Sequence, residues 1–169
     1  VSLQYLFAAS VETLRYGDKI PFMERFSQVN QVLISKKMGK FSLQLSPTII
    51  FHEFYNYEKN IFSSLGISAR YMVGQRVALS LEYYNRFHHQ DDKSLAYKNV
   101  FEDNNNSLSL GVDIEAGGHV FQFHLSNSSP LHEKGFIFQT DKSWDKGQIC
   151  FGFNILREFS GSKKSDDKW

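Results

Sequence analysis

The sequence predicts an all-β fold, an antiparallel up-and-down transmembrane β-barrel with eight strands visible, on three observations. Apolar and polar side chains alternate with period two through eight segments. The connections between those segments alternate short and long. All thirteen lysines (19, 36, 37, 40, 59, 93, 98, 134, 142, 146, 163, 164, 168) fall in connections, strand ends or the C-terminal tail. A two-residue period puts one class of side chain on each face of a pleated strand, which an α-helix does not do.

In chain order, Val1 to Ser10 alternates weakly and is read as the first strand. Phe22 to Lys36 is read as the second although it is mixed, because Gln28 and Asn30 share a face with Phe26, Val32 and Ile34. The third has Phe41, Leu43, Leu45, Ile49 and Phe51 against Ser42, Gln44, Ser46, Thr48 and His52. Ile61 to Val73 forms the fourth. In the fifth, Val77, Leu79, Leu81 and Tyr83 oppose Ala78, Ser80, Glu82 and Tyr84. Leu108, Leu110, Val112 and Ile114 make the apolar side of the sixth, and Phe121, Phe123 and Leu125 that of the seventh. The eighth sets Ile149, Phe151, Phe153 and Ile155 against Gln148, Cys150, Gly152 and Asn154.

Short turns are expected around Lys37 to Lys40, Gly74 to Arg76 and Ala116 to His119, and long loops over Val11 to Pro21, Phe54 to Asn60, His89 to Asn105 and Ser128 to Lys146. Membrane barrels have this asymmetry, with tight periplasmic turns and long extracellular loops. A strand of about 11 residues tilted ~40° spans roughly 28 Å, close to the apolar band of an outer membrane. Gly117-Gly118 suits a two-residue type I′ turn, in which both positions need positive φ. That turn pairs Ile114 with Phe121, Val112 with Phe123 and Leu110 with Leu125 on one face, and Asp113 with Gln122, Gly111 with His124 and Ser109 with Ser126 on the other. Glu115 opposite Val120 is the one pair of mixed polarity. Residues 1–159 are therefore assigned to the barrel and 160–169 to a polar tail.

Several classes of protein do not fit. A formal net charge of +1 argues against a nucleic-acid binder with a basic surface. Aromatic residues at 15% of the chain disfavour disorder. The lone Cys150 makes neither an internal disulfide nor a CxxC metal site. The longest apolar run, Tyr5 to Ala9, is far too short for a transmembrane helix. No signal peptide opens the chain and Val1 already reads as strand, so the segment is expected to be mature or truncated.

Two barrels share this pattern and are inside-out versions of each other. A soluble lipocalin-type barrel turns its apolar face inward around a lipid or pigment, whereas a membrane barrel turns it outward. A water-facing sheet carries Lys and Glu in mid-strand. Here the polar face is instead rich in Ser64, Gly66, Ser68, Ser107, Ser109, Gly111 and Gly152, small groups suited to a narrow lumen. Arg70, Glu82, Arg86, Asp113 and Glu115 supply charges that pair inside such a lumen, and the turn at Gly74 to Arg76 sets Arg70 diagonal to Glu82. Tyr5, Phe51, Tyr83, Phe87 and Phe159 near strand ends are like interfacial girdles.

The stretch Asn106 to Asn127, with its Gly-Val-Asp-Ile-Glu and Gly-Gly-His-Val-Phe-Gln words, together with Gly147 to Asn154, resembles a family of uncharacterised β-barrel proteins of Bacteroidota outer membranes. Gln31 to Pro47 and Val77 to Tyr84 look similar to that family too. The resemblance implies an outer-membrane location. It also implies further strands before Val1, which would make this chain a C-terminal portion. It carries no assigned activity and no cofactor.

Three constellations bear on chemistry. Asp113, His124 and Ser126 share the polar face of adjacent strands, and His124-Leu-Ser126-Asn127 is similar to the His-x-Ser-Asn word of an outer-membrane lipid A deacylase. There a serine is activated by a histidine that a carboxylate orients. The sequence departs from that pattern, with Phe138 where the carboxylate would stand, and side chains two apart on a strand are ~7 Å apart, long for a proton transfer. A polar network filling the lumen is the plainer reading. Asp91, Asp92, Glu102 and Asp103 crowd one long loop as weak candidates for Ca²⁺, without the spacing of a known cage. Trp144, Phe136 and Phe138 form either a docking patch or the packing of the last long loop onto the rim. Cys150 is expected to face the lumen and to be inert.

The function expected is that of an integral outer-membrane barrel, a non-enzymatic structural or accessory subunit. Its partners would be outer-membrane lipid and other outer-membrane proteins or lipoproteins, not nucleic acid. The alternatives are a small-solute channel, a lipid-modifying hydrolase using Ser126, and a soluble lipocalin-like carrier.

Overall fold

A computed structural model describes residues 1–11, 13, 22, 25–54, 58–87, 105–130 and 132–157, with backbone alone for 52–54 and 58–60. Eight antiparallel strands follow one another as β1 (Ser2–Val11), β2 (Phe26–Met38), β3 (Phe41–Phe54), β4 (Glu58–Met72), β5 (Val77–Phe87), β6 (Ser107–Ala116), β7 (His119–Ser126) and β8 (Cys150–Arg157). Each pairs with its sequence neighbours in the order β1-β2-β3-β4-β5-β6-β7-β8, an up-and-down half-barrel. Among the described residues β1 and β8 are not paired with each other, so the sheet is open where a ring of eight would close.

The expected register holds. Ala116 stands opposite His119, Ile114 opposite Phe121, Asp113 opposite Gln122, and Glu115 opposite Val120. Gly117 and Gly118 have φ of 60° and 76°, the sign a type I′ turn needs and a Cβ resists. Arg70 stands opposite Ser80, as the turn after Met72 requires. Strand β2 begins at Phe26, not at Phe22, whose ring stacks on Phe26 at 6.2 Å from the turn before it. Strands β3, β4 and β5 run several residues further toward the long-loop end than the alternation alone predicts.

The two faces separate by chemistry. Outward stand Leu3, Phe7, Leu43, Leu45, Ile67, Leu79, Leu81, Leu110, Phe123 and Phe153, all exposed, Leu79 at 48%. Inward stand Ser46, Thr48, Ser64, Ser109 and Asp113, all buried. A water-soluble chain exposing this much contiguous apolar surface would associate through it, while hydrocarbon accepts it without cost. The lipocalin arrangement, with apolar side chains lining the interior, is the reverse of this one.

The described part of the last long loop folds back into the concavity and carries a short helix, α1 (Glu133–Phe138), which the alternation did not indicate. Ile137 and Phe138 are buried against Val29, Ile50, Phe62 and Tyr84, the inward apolar residues at the long-loop ends of β2, β3, β4 and β5. The Phe138 ring meets Phe62 at 5.4 Å, and Phe136 meets Tyr84 edge-on at 5.9 Å. Burying one such aromatic is worth about 1.5–3 kcal/mol, enough to hold a six-residue helix that has no independent stability. Of the two readings open for Phe136 and Phe138, docking patch or packing of the loop onto the barrel, the contacts are those of packing. Trp144 joins it, its indole Nε1 donating to the Leu108 carbonyl at 3.1 Å.

Candidate functional site

Beneath the apolar plug the lumen is polar and layered. Gln31 Nε2 donates to Thr48 Oγ1 at 2.8 Å and to the Tyr84 hydroxyl at 3.1 Å, joining β2, β3 and β5. The Tyr84 ring lies over Gly66, where any side chain would collide with it. One level further from the long loops, Ser68 donates to Glu82 at 3.3 Å. Below that, Arg70 Nε donates to Asp113 Oδ2 at 2.9 Å, and Gln122 Nε2 donates to Asp113 Oδ1 at 3.2 Å.

The five expected lumen charges thus divide. Arg70 reaches past Glu82 to Asp113, two strands away, because the buried Ala78 and the small Ser80 on the intervening strand leave a path for its guanidinium. Arg86 is held near the long-loop end, its Nε donating to Asn106 Oδ1 at 3.3 Å. Asn106 Nδ2 in turn donates to the Tyr83 hydroxyl at 2.9 Å. Glu115 lies exposed at the turn end of β6, away from the other four.

The residues weighed for acyl transfer are occupied otherwise. Asp113 is bound by Arg70 and Gln122. Ser126 Oγ accepts from the Ser128 backbone N–H at 3.0 Å and is buried. The His124 ring covers Gly152 on β8, where a Cβ has no room. No described hydrogen bond joins His124 to Ser126 or to Asp113. Asn127, the last residue of the His-x-Ser-Asn word, clips the loop to β6: its Oδ1 accepts from Leu108 N at 2.8 Å, and its Nδ2 donates to the carbonyls of Asn106 at 2.9 Å and Lys142 at 3.1 Å. The word reads as a loop anchor. Cys150 faces the lumen, partly buried, opposite Ser126. Asp91, Asp92, Glu102 and Asp103 lie outside the described residues, as do Phe159 and residues 160–169. Among the described residues no group of three or more potential ligands gathers as a metal centre.

The described residues enclose lumen cavities of about 590 and 780 Å³. Both are lined by Gln44, Glu82, His124, Phe136 and Asn154, so they meet at one level of the barrel. The signal that would have found this level in the sequence is the placement of Gly66 and Gly152 within strands, where an isolated glycine marks a close approach. Tyr84 and His124 are the rings those glycines admit.

Outward apolar strands around a polar lumen agree with what a family comparison finds over residues 1–159, a match to the membrane bound beta barrel domain, DUF5777. The chain belongs to that family. It is therefore a membrane-bound β-barrel domain, as the arrangement of its faces requires. No curated protein and no solved structure matches the chain.

Proposed function

We propose that this DUF5777 chain is an integral outer-membrane barrel that serves as a non-enzymatic structural or accessory subunit of an outer-membrane assembly. General physics supports the outer membrane. A transmembrane barrel buries every backbone group between strands, and bacterial outer membranes are where such barrels reside. The observation that carries the accessory role is on the lipid side of β1 and β2. There the exposed Tyr5 hydroxyl donates to Asn30 Oδ1 at 2.5 Å, and Gln28 shares the outward face. Polar groups facing hydrocarbon are costly, and a protein neighbour satisfies them where acyl chains do not. β1 is also the edge strand of the described sheet. Native mass spectrometry after extraction in mild detergent tests this. A stoichiometric neighbour that dissociates in the Gln28→Leu/Asn30→Leu variant is expected, and a protein that runs alone at its own mass in every detergent refutes the reading.

The lumen supports a second reading, a small-solute channel, because two polar cavities meet at the Glu82–His124 level. Conductance steps in planar bilayers would favour it. A silent bilayer would favour the plug formed by α1.

A further inference from the structure

Glu82 is a lumen carboxylate that takes part in no described salt bridge. Arg70 is committed to Asp113 at 2.9 Å. Glu82 accepts from the Ser68 hydroxyl at 3.3 Å and lines both cavities, with His124 beside it in each. Directly opposite Glu82 in the β5–β6 register stands Ser109, which is 8% exposed, lines the smaller cavity, and has an Oγ with no partner. Buried hydroxyls are almost always hydrogen-bonded, so an unpartnered one facing a cavity marks a place where something else makes the bond. The amide of Asn154, the imidazole of His124 and the ring of Phe136 border the same space.

We propose that this level of the lumen is a binding site for a small organic cation bearing hydroxyl groups, a protonated polyhydroxylated amine. Glu82 would take the ammonium, Ser109 and Asn154 the hydroxyls, and the Phe136 face the cation from above. Cavities of this size are those that small ligands fill, about 300–1,000 Å³ in general. Glu82 disfavours an anion, since the Arg70 that lines the same cavity is already paired with Asp113. The unpartnered Ser109 hydroxyl excludes an apolar ligand, which would leave it unsatisfied. A neutral polyol would satisfy the hydroxyls and leave the carboxylate without a salt bridge. A cation over an aromatic face adds an electrostatic attraction of its own.

Titration calorimetry on the purified full chain in detergent tests this with three solutes on one six-carbon skeleton: glucamine (cationic), sorbitol (neutral) and gluconate (anionic). Glucamine is expected to bind saturably, sorbitol at least ~10-fold more weakly, and gluconate not at all. Glu82→Gln should weaken glucamine at least ~10-fold, ~1.4 kcal/mol, while leaving sorbitol unchanged. Ser109→Ala should weaken both glucamine and sorbitol. Absence of glucamine binding, gluconate binding as tightly as glucamine, or a Glu82→Gln protein that binds glucamine like the wild type would each overturn the site. Should Glu82→Gln fail to fold, the order of the three solutes on the wild-type protein decides alone. Because the measurement uses the isolated chain, its outcome is independent of whether the barrel has protein neighbours.

Discussion

Gly66→Ala is the smallest change that tests how the lumen is packed. A Cβ built on Gly66 would lie 2.5 Å from Tyr84 Cε1, 2.8 Å from its Cζ and 3.0 Å from Ser46 Cβ. Both neighbours are themselves fixed. Ser46 is fully buried on β3. Tyr84 is buried, its hydroxyl accepts from Gln31 at 3.1 Å, and its ring meets Phe136 at 5.9 Å. To admit the methyl the ring must retreat, which strains the core by ~1–3 kcal/mol and forfeits a hydrogen bond worth about 1 kcal/mol. A loss of about 2–4 kcal/mol is therefore expected. Gly74→Ala is the control: no atom lies within 4 Å of where its methyl would stand and its φ is not in the left-handed region, so a change within about 0.5 kcal/mol is expected. Reversible urea unfolding in lipid vesicles, followed by Trp144 fluorescence in a Trp169→Phe background, measures both. Repeating Gly66→Ala in a Tyr84→Leu protein closes the cycle, and there its cost should fall below ~1 kcal/mol. If Gly66→Ala is as stable as Gly74→Ala, or costs the same without the Tyr84 ring, the packing argument is wrong.

Leu79→Lys on the outward face should cost ~2–4 kcal/mol in vesicles, as a lysine near the bilayer midplane does. Quenchers carried on acyl chains should reach labels at Leu79, Val112 and Phe123 and not at Ser109 or Gln122; the opposite pattern would invert the barrel. Asp113→Asn should cost only about 0.5–1 kcal/mol by the same unfolding assay, because the Arg70 side chain is half exposed and solvent screens the pair, whereas a loss several times larger would place the pair out of reach of water. Phe138→Ala should leave a cavity costing ~3 kcal/mol and free α1 from the mouth, so limited proteolysis between Asn127 and Gly147 should quicken; unchanged cleavage would mean that α1 is not held by its aromatic contacts.

How much of this was legible before the structure follows from the range of each interaction. Alternation identifies strands because a pleated backbone sends neighbours to opposite faces. Register follows at Gly117-Gly118 because a two-residue turn leaves one pairing, which is why Ile114 meets Phe121 and Asp113 meets Gln122. Short and long connections then set an up-and-down order without further information. The polar rows carry small groups and no lysine in mid-strand, where a water-facing sheet would carry lysines. That marks the polar face as a narrow lumen and the apolar face as the one that meets lipid.

Other features depend on groups far apart in the chain, and no local pattern encodes them. Arg70 passes over Ala78 and Ser80 to Asp113 because both intervening side chains are small, a fact visible only once β4, β5 and β6 lie side by side. The inward Val29, Ile50 and Phe62 look like lapses in a polar face until α1 arrives from a distant loop to bury Ile137 and Phe138 against them. The serine, histidine and aspartate that sequence spacing brought onto one face are drawn apart by nearer partners: a backbone N–H, a glycine, and an arginine with a glutamine. Period and turn chemistry act between neighbours and are written in order along the chain. The contents of the lumen are set by which side chains have room to cross it, and that room exists only in the folded wall.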